Sequence, residues 1–193
     1  MILFIDMMQS YKHYKMKILY LGPNNNGVYD FLNHNYNITT TEEKITPKML
    51  DKFDWVVSYG YRHILKKEHI NSSKNPIINL HISYLPWNKG ADPNYWSWID
   101  NTPKGVTIHA INEGIDTGDI FIQTEMYLEN DETLSSSYNK LKKEIETLFI
   151  DNFENIIKGS ILPQTQPQGG SLHYVKDFPG VESWDIKVKD LIK

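Results

Sequence analysis

The 193-residue sequence contains no cysteine, which excludes disulfides, thiolate zinc sites, iron–sulfur clusters and cysteine nucleophiles. It has no surplus of positive charge either. Twenty Lys and Arg stand against twenty-four Asp and Glu, a net −4, so the overall balance does not favour a phosphate backbone held by counterion release. A nucleic-acid partner is disfavoured on that ground. No apolar run approaches the ~20 residues of a membrane-spanning helix. The first fifteen residues lack the basic start and the ~7–15-residue apolar centre of a secretory signal, because Ile2-Leu3-Phe4-Ile5 is broken at once by Asp6. A soluble, cytoplasmic chain without a membrane partner is expected, with residues 1–15 as a leader lacking regular structure.

With 40% hydrophobic residues the chain suffices for one domain with a sizeable core. From Met16 onward short apolar runs alternate with amphipathic stretches, the pattern of a mainly parallel α/β sheet. Ile18 to Leu21, Asp54 to Tyr59, Ile77 to Leu80, Val106 to Ile111 and Ile120 to Leu128 read as strands. The Gly22-Pro23-Asn24-Asn25-Asn26-Gly27 punctuation before Val28, Phe31 and Leu32 reads either as an ordinary turn or as a helix start that welcomes an anion. It has neither the phosphate-loop nor the dinucleotide spacing. Between Thr133 and Gly159, Leu134, Tyr138, Leu141, Ile145, Leu148, Phe149, Phe153, Ile156 and Ile157 step by three or four, which predicts a long helix whose apolar stripe is core. The Gln, Pro and Gly stretch from Pro163 to Gly170 suits a loop.

Two segments place polar residues at the ends of apolar strands, where open α/β sheets bind ligands. One runs from Asn79 through His81 to Gly90, the other from Gly105 through His109 to Asp119. Asn79 and His81 are two apart, so an extended chain points both to the same side. Asp116 lies far enough along for a strand and a return loop to bring it back. An amide, an imidazole and a carboxylate facing one cleft make an acyl-transfer site without a protein nucleophile: the imidazole moves the proton, the carboxylate orients and polarises it, and the amide stabilises the oxyanion. His109 reads equally as a packing residue or a site residue, and on turn chemistry alone Asp116 and Asp119 both read as turn residues. His81, His109, Asp116 and Asp119 lack the spacing of a zinc site, and no metal is expected.

Asn79-x-His81, Leu85-Pro86, Gly90, Gly105-Val106-Thr107-Ile108-His109 and Gly114-Ile115-Asp116-Thr117-Gly118-Asp119-Ile120 together resemble the formyltransferases that use 10-formyltetrahydrofolate. That family includes glycinamide ribonucleotide formyltransferase, methionyl-tRNA formyltransferase and the sugar N-formyltransferases. The resemblance covers roughly Met16 to Leu128. The segment Trp87 to Trp98 and the tail His173 to Phe178 look most like the sugar N-formyltransferases.

The resemblance implies a Rossmann-like, mostly parallel sheet flanked by helices, with a catalytic domain at 16–162 and a C-terminal extension, 163–193, packed on it. It implies Asn79, His81 and Asp116 as catalytic residues: Asn79 holding the carbonyl oxygen as charge builds, His81 taking the proton from the attacking amine, Asp116 supporting the histidine. Folate would sit against the largely backbone surfaces of Arg62, His63, Ile64 and Leu65 and of Asn112, Glu113 and Gly114, with Tyr61 and Trp87 as apolar walls. Lys89, Asn94 and Trp96 are candidates for holding a nucleotide-linked amino sugar, whose 3- or 4-amino group would be formylated. Glycinamide ribonucleotide formyltransferase is the alternative within the chemistry, but the turn after Gly22 lacks the Gly/Ser-rich phosphate signature of that branch. A non-catalytic folate- or nucleotide-binding homologue is the alternative from another class, and the intact trio argues against it. Methionyl-tRNA formyltransferase carries a further C-terminal domain for which 193 residues are expected to leave no room. The oligomeric state stays open, with homodimers common among related sugar enzymes.

Overall fold

The computed structural model describes residues 16–191; the leader segment lies outside them. The chain divides into two compact units, one ending at Asn79 and one beginning at Leu80.

The first unit holds β1 (Lys17–Leu21), α1 (Gly27–Asn35), β2 (Asn37–Thr41), α2 (Pro47–Leu50), β3 (Trp55–Ser58), α3 (Lys67–Ser72) and the start of β4 (Ile78–His81). β1 pairs in parallel with β2 on one side and β3 on the other, and β3 pairs in parallel with β4. Ile18 to Leu21 and Val56 to Val57 are buried, as continuous apolar strands covered on both faces must be. In the Asn-rich turn, Asn26 caps α1 by accepting from the Tyr29 N–H at 2.9 Å, and its own amide donates to the Pro23 carbonyl at 2.6 Å.

The second unit holds β5 (Lys89–Gly90), α4 (Pro93–Ile99), β6 (Gly105–Ala110), β7 (Ile120–Glu125), α5 (Leu134–Ile157), β8 (Leu172–His173), a 3₁₀ turn (Val175–Asp177) and α6 (Val188–Leu191). β6 and β7 form an antiparallel pair, and the order in the six-stranded sheet is β2-β1-β3-β4-β6-β7. β7 stops at Glu125, three residues short of the apolar run that suggested it. α5 starts on a reciprocal cap in which Thr133 Oγ1 accepts from the Ser136 N–H at 3.0 Å and Ser136 Oγ accepts from the Thr133 N–H at 2.9 Å. Leu134, Leu141, Ile145, Phe149 and Phe153 are fully buried along its inner stripe, but Tyr138 is 45% exposed and departs from the all-core reading. A second, two-stranded sheet joins β5 to β8 in parallel. It brings the tail onto the segment that follows His81.

Candidate active site

β4 sets Asn79 and His81 one strand period apart, with His81 buried and Asn79 half-buried. Beyond β4 the chain turns under tight control from β6. Thr107, fully buried, donates to the Ser83 carbonyl at 2.7 Å and accepts from the Leu85 N–H at 3.1 Å. Asn88, also fully buried, adopts φ +52, and its carbonyl faces His81 Nε2 at 3.1 Å. A carbonyl only accepts, so Nε2 carries the hydrogen and the neutral ring has its lone pair on Nδ1. That nitrogen stands 3.7 Å from Asp116 Oδ2, too far for a hydrogen bond but near enough to stabilise an imidazolium.

Asp116 sits in the turn between β6 and β7 with φ +48. Its Oδ2 accepts from the Gly90 N–H at 2.8 Å, and its Oδ1 lies 3.4 Å from His109 Nε2. His109 is buried, its Nδ1 is 2.8 Å from the Ala110 carbonyl, and its ring stands edge-on to His81 at 6.2 Å between centroids. The carboxylate is thus flanked by two imidazoles and one backbone N–H. Burial pushes the Asp116 carboxyl up, but the charge on His81, the bond to His109 and the Gly90 N–H outweigh it and hold the group well below the ordinary carboxylate range.

The turn itself is built by small contacts. Asn112 Oδ1 accepts from the Gly114 N–H at 3.0 Å and from Thr117 Oγ1 at 2.7 Å. A Cβ on Gly118 would stand 1.8 Å from the Ala110 carbonyl oxygen, so no other residue fits there. Gln166 then clamps the turn from the tail, its amide donating to the Asp116 carbonyl at 2.8 Å and the Gly118 carbonyl at 2.6 Å. Ser171 Oγ accepts from the Asn88 N–H at 2.9 Å and bonds Asn88 Oδ1 at 3.1 Å. Gln166 and Ser171 position the site, and nothing in the local sequence pattern pointed to them.

The folate-binding candidates fall in two loops. In the first unit Arg62, His63 and Ile64 are exposed, Ile64 by 78%, while Leu65 is buried. Among the described residues Arg62, His63 and Ile64 make no backbone–backbone hydrogen bond, which suits a loop that offers main-chain donors and acceptors to a pteridine edge. In the second unit Asn112, Glu113 and Gly114 are exposed on the turn before Asp116. The three acceptor candidates have partners inside the protein. Lys89 Nζ donates to the Gly169 carbonyl at 3.2 Å, and the Asn94 amide donates to the Leu134 carbonyl at 2.9 Å while its oxygen accepts from Ser137 Oγ at 3.0 Å. Trp96 stacks on His173 at 4.0 Å, and His173 Nε2 is 2.8 Å from Asp100 Oδ2. These side chains brace α4, α5 and the tail against one another.

Residues 24–152 match the family model described as formyl transferase. The chain belongs to the formyl transferase family. This formyl transferase is similar to the formyltransferase PseJ from Anoxybacillus kamchatkensis, with 43% identity, a TM-score of 0.85, and coverage of 91% of this chain and 97% of that one. That structure holds UDP-4,6-dideoxy-4-formamido-L-AltNAc and tetrahydrofolate. A methionyl-tRNA formyltransferase of Thermodesulfovibrio yellowstonii is 36% identical over 144 residues, covering 72% of this chain and 46% of that protein. The dTDP-4-amino-4,6-dideoxyglucose formyltransferase of Mycobacterium tuberculosis is 28% identical over 139 residues, covering 72% and 58%. The chain therefore spans about half the length of the curated relatives it matches. No helix among the described residues is long and apolar enough to cross a membrane, and none of their side chains cluster as a metal site.

Proposed function

We propose that the protein moves a formyl group from 10-formyltetrahydrofolate to the 4-amino group of a nucleotide-linked dideoxyamino sugar. The observation that carries this reading is the 43% identity to a formyltransferase crystallised with tetrahydrofolate and a UDP-linked 4-formamido sugar, a match that covers 91% of this chain and 97% of that one. The His81, His109 and Asp116 geometry supports it chemically. The neutral sugar amine attacks the formyl carbon, forming a C–N bond and a tetrahedral oxyanion, which the Asn79 amide stabilises. His81 Nδ1 takes the proton released by the amine, and Asp116 steadies the imidazolium. The bond from carbon to N10 then breaks, His81 returns the proton to N10, and the formamido sugar and tetrahydrofolate leave. The Arg62 to Leu65 loop of the first unit and the Asn112 to Gly114 loop of the second are each a candidate contact for folate, with the catalytic domain at 16–162 and the tail from 163 as its extension. We place the enzyme in the cytoplasm as a homodimer that supplies building blocks for surface polysaccharide such as O-antigen.

The test is formyl transfer from 10-formyltetrahydrofolate to a UDP-linked 4-amino-4,6-dideoxy sugar, its 3-amino counterpart, glycinamide ribonucleotide and methionyl-tRNA in parallel. Turnover of the 4-amino sugar is expected. Turnover of glycinamide ribonucleotide or methionyl-tRNA alone, or of none of the four, would overturn the reading.

A further inference from the structure

Asn88 is fully buried and adopts φ +52, a conformation that L residues rarely take and that Asn accepts more readily than most. Gly would satisfy the backbone alone. The Asn side chain adds two anchors: Nδ2 donates to Thr102 Oγ1 at 2.7 Å, and Oδ1 accepts from Ser171 Oγ at 3.1 Å. The main-chain N–H donates to the same Ser171 hydroxyl at 2.9 Å. The carbonyl is left to face His81 Nε2 at 3.1 Å. Every polar group of Asn88 is thus engaged, on β4, on the turn after α4 and on the tail.

The anchors are themselves fixed. Thr102 is buried and its N–H donates to the Ser97 carbonyl at 3.1 Å. Lys104 Nζ donates to the Thr102 and Ser97 carbonyls, each at 3.0 Å, and lies 4.3 Å from the centre of the Trp98 ring. Ser171 directly precedes β8, and its carbonyl accepts from the Lys89 N–H at 3.0 Å. The amide is therefore held from two sides by groups tied into α4 and the β5–β8 pair. Turning the Asn88 peptide would strand buried polar atoms away from water.

The carbonyl fixed in this way decides the form of the neutral imidazole. With its hydrogen on Nε2, the ring donates to Asn88 and keeps its lone pair on Nδ1, the nitrogen 3.7 Å from Asp116 Oδ2. With the hydrogen on Nδ1, the Nε2 lone pair would oppose the carbonyl oxygen and the base would point into the protein. We propose that Asn88 is a positioning residue for formyl transfer, its side chain fixing, through Thr102 and Ser171, the carbonyl that keeps His81 in the Nε2–H form. Being fully buried, it acts through His81 and not on the substrate. The proposal rests on the proton path assigned to His81 above.

Asn88→Gly keeps the positive φ and deletes the amide. Thr102→Val removes only the hydroxyl that the amide bonds, and Thr102→Ser restores a hydroxyl there. NMR of the ring nitrogens in isotope-labelled protein, through their couplings to the ring C–H hydrogens, reports the tautomer without substrate. The His81 signals are assigned by their loss in His81→Asn and read with the ring titrated to its neutral form. Wild type is expected to show Nε2 protonated and Nδ1 bare. In Asn88→Gly and Thr102→Val the two nitrogen shifts should converge, and kcat should fall about three- to tenfold, the effect of one neutral hydrogen bond, with both KM values unchanged. Thr102→Ser should return the ring signature and kcat. A wild-type ring protonated on Nδ1 would overturn the proposal. So would variants that keep the wild-type signature, variants that change it without lowering kcat, or failure of Thr102→Ser to rescue. If thermal unfolding shows Asn88→Gly unfolded, the Thr102 pair carries the test. Normal turnover in His81→Asn would instead overturn the proton path, so the two failures are distinguishable.

Discussion

The Gly90 N–H donates to Asp116 Oδ2 at 2.8 Å, tying the segment after His81 to the turn after β6. Gly90 adopts φ +89, and a Cβ there would stand 2.2 Å from the His173 carbonyl oxygen. The bond that fixes the Asp116 carboxylate therefore depends on a close approach of the tail backbone.

Replacing His81 with Asn removes the base while keeping a small polar side chain at the strand end. Turnover should fall roughly 100- to 10,000-fold, with little change in the thermal unfolding temperature. A variant with near-normal kcat would remove His81 from the proton path.

His109→Asn takes away the partner 3.4 Å from Asp116 Oδ1 and leaves His81 untouched. The expected result is a fall in kcat with unchanged KM for the acceptor, because the carboxylate loses orientation without losing a substrate contact. A change confined to KM would place His109 in binding instead.

The depressed Asp116 carboxyl makes stability depend on acid. In the unfolded chain the group takes up its proton near pH ~3.9, but in the folded protein it stays ionised to lower pH, so the unfolded state binds more protons and stability falls as pH drops. Its contribution is full at neutral pH and is lost progressively below about pH 5. Urea denaturation of wild type and Asp116→Asn at pH 7, 5 and 3 should show a gap that narrows toward acid.

Gly118→Ala should destabilise the protein by more than about 2 kcal/mol, since the added carbon meets the Ala110 backbone carbonyl at 1.8 Å and neither side is a flexible side chain. Denaturant unfolding measures the loss directly. Gln166→Ala should lower kcat severalfold with a much smaller loss of stability, because it releases the turn without a clash.

The parts of this fold that rest on side-chain burial were legible in the residues. β1 and β3 are largely apolar runs, β4 alternates Ile78 and Leu80 with Asn79 and His81, and α5 repeats its buried positions every three or four residues. β2 escaped notice because Asn37-Ile38-Thr39-Thr40-Thr41 is an edge strand with exposed or half-buried positions throughout. β5 and β8 are two residues each and are held by main-chain bonds, which leave no mark in side-chain identity. The Asn-x-His spacing drew attention to Asn79 and His81, whereas Asp116 took its weight from the family resemblance, its Asp-Thr-Gly setting being ordinary turn chemistry. His109 stayed undecided because an alternating strand shows which face a residue takes and not what returns to meet it. Gln166 and Ser171 each act through two hydrogen bonds, across 48 and 50 positions of chain and across 83, and no local pattern records such contacts.

The pairing of β5 with β8 also bears on when the site forms during synthesis. β6 and β7 are joined by a short turn and close with little loop entropy, whereas Asn88 meets Ser171 only across 83 residues. On the ribosome the hairpin residues are made before the tail, so Asn88, whose amide bonds Thr102 Oγ1 at 2.7 Å, gains its Ser171 contacts last. The surroundings of Asn88 are therefore completed late, after most of the second unit has already been made.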